Sequence, residues 1–512
     1  MLVKTFGSAV FGIRAITVTV EVYMDQGIQF FMVGLPDNAV KESHQRIESA
    51  LRNNGQRIPG KKIIINLAPA DIRKEGSSYD LTIAMGILAA NGVIGTGKLE
   101  GYMIMGELSL DGGLLPIKGA LPIALEAKEK GFKGILLPMQ NAREAAIVQE
   151  LEVYGIKSIT EVIAFFNNDK AASPARTEPP GDLPFRSPRY DHDFADVRGQ
   201  ENIKRALEIG AAGGHNVILI GPPGAGKTML AKRIPSILPP LSRQEALETT
   251  KIHSVAGKLG SHRSLVSSRP FRAPHHTISD MALVGGGTYP QPGEISLAHN
   301  GVLFLDELPE FRRTVLEVLR QPMEDRMVTI SRARMSVEFP ASFMLIAAMN
   351  PCPCGYYNHP TMDCQCKPGE VQKYLSRISG PLFDRIDIHI EVAPVDFNRL
   401  SDTRPSESSS QIRDRVMAAR KVQQARFAGM DGIHANAQIP SRMLREVCRI
   451  DEAGNRMLKN AMERLGLSAR AYDRILKVAR TIADLGQSTD IESEHLAEAI
   501  NYRSLDRDNW GR

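Results

Sequence analysis

The sequence predicts a parallel α/β core, preceded by a separate α+β domain and followed by a helical C-terminal part. Three stretches predict that core. The apolar run Val217-Ile218-Leu219-Ile220 reads as a buried strand and passes into Gly221-Pro222-Pro223-Gly224-Ala225-Gly226-Lys227-Thr228, after which Met229-Leu230-Ala231 can open a helix. Gly301-Val302-Leu303-Phe304-Leu305 reads as a second buried strand and ends in Asp306-Glu307. Phe343-Met344-Leu345-Ile346-Ala347-Ala348-Met349 reads as a third and ends at Asn350.

The chain has 512 residues, enough for about three domains at roughly 150 residues each. Its 43% hydrophobic content suffices for several cores. With 63 basic and 58 acidic side chains, the net charge of +5 permits a nucleic-acid partner without demanding one. No apolar run is long enough to span a bilayer, and Met1 to Gly7 lacks the apolar region of a signal peptide. A soluble cytoplasmic protein with no membrane partner is expected. Five cysteines in a chain of this size do not make a disulfide scaffold.

Taken in order, residues 1–168 form the first expected domain. Ile16 to Val22 alternates as a half-buried strand, Lys61 to Leu67 is another, and Asp80 to Leu88 and Ile123 to Lys130 read as helices. Residues 169–192 are a proline-rich linker. The core occupies 193–395 and opens with a helix from Glu201 to Ala212. Residues 396–512 are polar and helical, with Gln411 to Phe427 amphipathic and Ser468 a plausible N-cap for a helix to Leu485. Ile475, Val478, Ala479 and Ile482 recur there at core spacing, while Arg470, Arg474 and Lys477 lie on another stripe, open to a solvated reading.

A strand, a glycine-rich loop and a helix in that order form a phosphate cradle. The glycines turn backbone N–H groups inward, Lys227 can reach the β- and γ-phosphates of ATP, and the Thr228 hydroxyl can ligate Mg²⁺. Four apolar residues followed by two carboxylates make the Walker B pattern, in which Asp306 holds Mg²⁺ and Glu307 polarises the attacking water. Asn350, at the carboxyl end of a parallel strand, faces the ligand crevice and can sense the γ-phosphate. Between these strands, Met327 to Phe339 alternates on both sides of Ser331 to Met335 and reads as a β-hairpin. Arg332 and Arg334 near its tip can meet a phosphate backbone; an ordinary basic turn is the alternative. His275 and His276 are adjacent, which suits polar packing near the nucleotide better than a metal site.

Cys352-Pro353-Cys354 and Cys364-Gln365-Cys366 form two C-x-C pairs around a turn-rich loop, an insertion spanning 352–366. Four thiolates can close a tetrahedral structural Zn²⁺ site, with His359 able to replace one of them. Unligated thiols are the alternative. Cys448 stands apart in a helical stretch.

These strands and their spacing resemble the AAA+ ATPases: a P-loop NTPase core with a helical lid. Arg272-Ala273-Pro274-His275-His276, Pro292 to His299 and Ser379 to Asp387 are similar to the magnesium-chelatase and MCM-helicase branch. Lys74 to Leu81 and Gly106 to Gly119 resemble the Lon-protease C-terminal domain, which has a ribosomal-protein-like fold. Ser78 falls near the Lon serine, but Leu121 stands where that family has its lysine, and Lys118 is displaced, which implies a scaffold more than a protease. Joined, the parts resemble the ComM/YifB family. That resemblance implies a ring, by expectation a hexamer, with ATP between subunits and Arg385 acting as an arginine finger on a neighbour. Arg377 is the other candidate for that role, and Arg470 matches the sensor 2 position. It further implies helicase or branch-migration work on single-stranded or branched DNA beside recombination proteins, and hairpin arginines facing a central pore. The Gly285-Gly286-Gly287 stretch is a second pore-loop candidate. Rival readings are a chelatase-type motor, a Lon-like protease using Ser78, and a nucleotide-switched scaffold.

Overall fold

Strand Arg14–Asp25 buries Val18, Val20 and Val22 on one face, as its alternation requires. The computed structural model containing it describes residues 1–179, 190–260, 264–287, 289–332, 335–359, 361–394, 406–430 and 432–503. The chain divides into two units, Met1–Arg186 with Arg243–Val266, and Ser187–Ser242 with Ser267–Arg512. No helix among the described residues is long and apolar enough to cross a membrane.

The first unit is built on a seven-stranded mixed sheet. Its order is Phe30–Val33, Lys62–Ala68, Arg14–Asp25, Leu2–Phe11, Tyr102–Ile104, Gly134–Pro138 and Glu152–Ile156. Helix Asp80–Ala90 is buried along its whole length, and its Asp80 carboxylate accepts from Arg46 at 2.6 and 2.9 Å. The helix expected over Ile123 to Lys130 runs over Ala120–Glu129. The sequence boundaries leave Arg243–Val266 inside 193–395, yet the structure groups it with the first unit. The reason is apolar packing. Helix Arg243–Val255 buries Ala246, Ile252 and Val255, and Leu247 packs on the cluster that holds Leu121, Ile123 and Ala124. Its Ser254 carbonyl accepts the Gly119 amide at 3.2 Å.

The second unit carries a five-stranded sheet whose neighbours all run parallel. Its order is Phe271–Arg272, Val302–Leu305, Met344–Met349, Val217–Ile220 and Ile388–Glu391. Ile220 lies beside Met349, and Leu305 beside Ala347, so the phosphate loop, Asp306-Glu307 and Asn350 leave the same edge of the sheet. Helix Ala469–Leu485 is capped by the Ser468 hydroxyl, which accepts the Ala471 amide at 3.2 Å. Ile475, Val478, Ala479 and Ile482 are buried in one cluster with Leu219 and Phe304. The basic stripe on that helix is not solvated throughout. Arg474 pairs with the buried Asp387, and the half-buried Lys477 donates to the Ala437 carbonyl at 3.4 Å. Burial opposes ionisation of Asp387, but Arg474 and His215 together hold its carboxyl well below the usual carboxylate range.

Asp387 sits at the opposite end of the sheet from the phosphate loop. Its Oδ2 accepts the Asn216 amide at 2.9 Å. The Asn216 side chain in turn accepts the Leu345 amide at 2.9 Å and donates to the Arg385 carbonyl at 3.3 Å. One asparagine thus joins the strands that lead to Lys227 and to Asn350 with the segment that carries Arg385.

Candidate functional site

Two left-handed glycines, Gly224 (φ 78°) and Gly226 (φ 87°), turn the chain from strand Val217–Ile220 into helix Lys227–Ala231. Gly221 admits no side chain, because a Cβ there would fall 2.2 Å from the Val392 carbonyl oxygen. The Lys227 ammonium donates to the carbonyls of Gly221 at 2.6 Å and Pro222 at 2.9 Å, and to Asn350 Oδ1 at 3.1 Å. Burial lowers its pKa, and the nearby Asp306 and Glu307 oppose that shift. Thr228 Oγ1 donates to Asp306 Oδ2 at 2.6 Å. A hydroxyl and a carboxylate side by side are the hard oxygen donors that Mg²⁺ takes, so the donor set fits that ion.

Glu307 has left-handed backbone, φ 53°. At a non-glycine residue that costs on the order of 1–3 kcal/mol and persists where the surroundings hold it. Its amide donates to Asp306 Oδ1 at 3.0 Å, and its Oε2 lies 3.1 Å from His276 Nδ1. From sequence His276 is expected to be polar packing; the structure places it on the carboxylate expected to activate water. Arg272, in the same motif, forks onto Glu294 at 2.6 and 2.7 Å and so ties two motif stretches together.

The contacts around Lys227 do not include Arg385 or Arg470. Arg385 is buried, paired with Glu324 at 2.5 Å and donating to the Pro381 carbonyl at 2.6 Å. Its Nε has no hydrogen-bond partner among the described residues. Burial lowers its pKa, and although Glu324 opposes the shift, the positive charges of Arg470 and Arg320 add to it. Arg470 is exposed in the first turn of helix Ala469–Leu485. Arg377 is a surface residue paired with Glu310 at 2.8 Å.

The expected hairpin is present as strands Met327–Arg332 and Met335–Pro340, paired antiparallel. Arg332 is exposed; Arg334 lies outside the described residues. A second short pairing, Gly285–Gly286 with Gln291–Pro292, adjoins this hairpin. A Cβ on Gly285 would meet Ile330 Cδ1 at 2.8 Å, and one on Gly286 would meet an Arg332 nitrogen at 3.3 Å.

The sulfurs of Cys352, Cys354, Cys364 and Cys366 all lie within 4.8 Å of one another. Three of the separations are 3.2, 3.8 and 3.6 Å. Ligands about 2.3 Å from a tetrahedral Zn²⁺ stand roughly 3.8 Å apart, so the four thiols fit that ion. His359 is not among the converging ligands. Its Nδ1 accepts the Thr361 and Met362 amides at 3.2 and 3.1 Å. Cys448 is buried elsewhere.

In the first unit, Ser78 is half-buried, and its carbonyl accepts the Gly106 amide at 2.9 Å. Leu121 is fully buried and its amide donates to Glu144 at 2.8 Å. The Lys118 stem lies against Gly257.

A parallel sheet with a glycine-rich loop, an Asp-Glu pair and an asparagine leaving one edge is the arrangement of a P-loop ATPase of the AAA+ class. Residues 193–400 match the family described as magnesium chelatase, subunit ChlI; residues 20–141 match subunit ChlI of Mg-chelatase, and 406–503 match the ChlI C-terminal family. The chain is 45% identical over 503 residues to the uncharacterized protein YifB of Escherichia coli (strain K12), covering 98% of this chain and 96% of that one. It is 43% identical over 510 residues to the competence protein ComM of Haemophilus influenzae, covering 99% and 98%. A weaker likeness, 29% over 185 residues, joins 31% of this chain to 33% of Lon protease 2 of Bacillus subtilis. The chain belongs to the ComM/YifB family of magnesium-chelatase-like AAA+ ATPases. ATP and Mg²⁺ follow from that membership.

Proposed function

We propose that this chain is an ATP-driven ring motor, a hexamer, that moves on single-stranded or branched DNA. Its work would be helicase or branch-migration activity on incoming DNA during natural transformation, beside recombination proteins. The name of one relative, competence protein, supports the link to incoming DNA. The observation that carries the motor reading is the pair of adjoining hairpins with Arg332 exposed on one of them. A basic hairpin contacts phosphates without reading sequence, which suits a translocating motor.

Within one subunit, the loop Gly221 to Thr228 cradles the phosphates and Lys227 neutralises them. Thr228 and Asp306 hold Mg²⁺, which when bound supplies charge neutralisation at the phosphate oxygens. Glu307 orients the water, and His276 positions Glu307. Asn350 senses the γ-phosphate, with Arg470 reaching it from the helical lid. Arg385 serves the neighbouring subunit's site: a buried cation with an unpaired N–H, among other arginines, is a group that gains by meeting an anion. The cysteine cluster holds a structural Zn²⁺. The Lon-like first unit is a scaffold, because the buried Leu121 offers Ser78 no base.

The test is ATPase rate with and without single-stranded and forked DNA across a salt series, beside Arg332→Ala/Arg334→Ala. DNA should stimulate wild-type turnover, and the effect should weaken with salt. The double variant should lose stimulation, with a salt slope shallower by about 0.7 for each phosphate it no longer neutralises. No binding and no stimulation at any salt would sink the DNA motor. That result would favour a chelatase-type motor, the second reading, which the chelatase family matches support.

A further inference from the structure

We propose that the zinc-loaded four-cysteine cluster is a strut for the phosphate-binding loop, so that metal occupancy sets nucleotide affinity. The inference rests on the nucleotide-site reading above and adds a control to it.

The cluster begins two residues after Asn350, the side chain that shares Lys227 with the loop. Cys352 is fully buried. The chain then turns at Gly355, which is left-handed at φ 87° and donates its amide to the Cys352 carbonyl at 3.0 Å. At that glycine the knuckle lies flat on the loop. A Cβ there would sit 2.4 Å from Pro223 Cδ and 2.8 Å from Cγ, far inside contact distance. A Cβ on the next loop residue, Gly224, would meet nothing within 4 Å. The knuckle is therefore a backing for the loop at Pro223. The cysteine segment thus bears on the nucleotide site through Asn350, two residues before it, and through Pro223.

A tetrahedral metal closes residues 352–366 into one rigid piece, because the ligand bonds fix where each cysteine stands. Without the ion nothing draws four thiols together, and the backing at Pro223 loosens. A looser loop must be ordered when phosphates bind, and that ordering weakens affinity. The coupling is reciprocal: bound nucleotide must retain zinc by the same factor by which zinc tightens nucleotide.

The experiment uses the full chain. Zinc is counted by elemental mass spectrometry. A fluorescent ATP analogue is titrated with Mg²⁺ before and after a zinc-selective chelator that spares Mg²⁺, and again after zinc is restored. One zinc per chain is expected, with nucleotide binding weakened about tenfold on its removal and recovered on its return. Nucleotide should slow zinc loss to the chelator. Gly355→Ala touches no ligand; it should keep zinc and bind nucleotide about tenfold more weakly, since its new Cβ overlaps Pro223. Equal affinity with and without zinc overturns the strut, as does a zinc-loaded Gly355→Ala protein with wild-type affinity, or a chain that takes up no metal. A zinc-loaded wild type that binds no nucleotide, like Lys227→Ala, overturns the underlying nucleotide reading instead.

Discussion

The Glu307→Gln protein is expected to bind ATP nearly as well as wild type and to turn it over about 10²- to 10⁴-fold more slowly. The Mg²⁺ donors, Thr228 and Asp306, stay in place in that protein, and so do the three acceptors around Lys227. The glutamine amide keeps the shape of the side chain and can still meet His276, 3.1 Å from the carboxylate in the native protein. What it loses is the negative charge that polarises a water. The side chain is 56% exposed, so the fold should change in stability by no more than about 0.5 kcal/mol. Phosphate release and nucleotide titration on the same sample separate the two effects. Wild-type turnover by this variant would remove the water-activating role from Glu307.

Arg385→Ala is the second large effect, a fall in turnover of about 10³-fold. Its removal frees Glu324, which is half exposed and can be hydrated, and it relieves repulsion among Arg385, Arg320 and Arg470. Arg385 is itself buried and donates to the Pro381 carbonyl, so its truncation also leaves a cavity, and the melting temperature should fall by several degrees beside the loss in rate. The decisive measurement is mixing. Subunits with Lys227→Ala lack a working pocket but keep Arg385; subunits with Arg385→Ala keep the pocket. If Arg385 acts on a neighbour, a mixture recovers part of the activity that neither variant has alone. A mixture as inactive as its parts would place the action of Arg385 within its own chain or in structure alone.

The features legible in the sequence are those written in consecutive residues. The strand, loop and helix around Lys227 are continuous in the chain, and so are the carboxylates after Val302–Leu305 and the hairpin about Ser331 to Met335. Ser468 as a cap and the face made by Ile475, Val478 and Ile482 follow from local chemistry and helical spacing. The contacts that escaped join distant stretches. Asp387 and Arg474 lie 87 residues apart, and nothing in either segment names the other. His276 and Glu307 are likewise separate in sequence, and a histidine gives no sign of which carboxylate it will meet. Composition predicts four sulfurs that can converge, but not that Gly355 will rest on Pro223, because that contact depends on how two loops leave adjacent strands.

The placement of Arg243–Val266 in the first unit has a bearing on how the protein is made. The chain crosses between units three times, so the first unit is not complete when Arg186 has been synthesised. It needs a segment that ends 80 residues later, at Val266. At roughly 5–20 residues per second, the ribosome leaves the apolar surface around Leu121, Ile123 and Ala124 without its final partner for about 4–16 s. Exposed apolar surface of that kind favours aggregation, and chaperone binding is expected during that interval. A gene fragment cut at the proline-rich segment would leave the first product short of part of its core, and the second product carrying a helix, Arg243–Val255, without the apolar cluster it packs on.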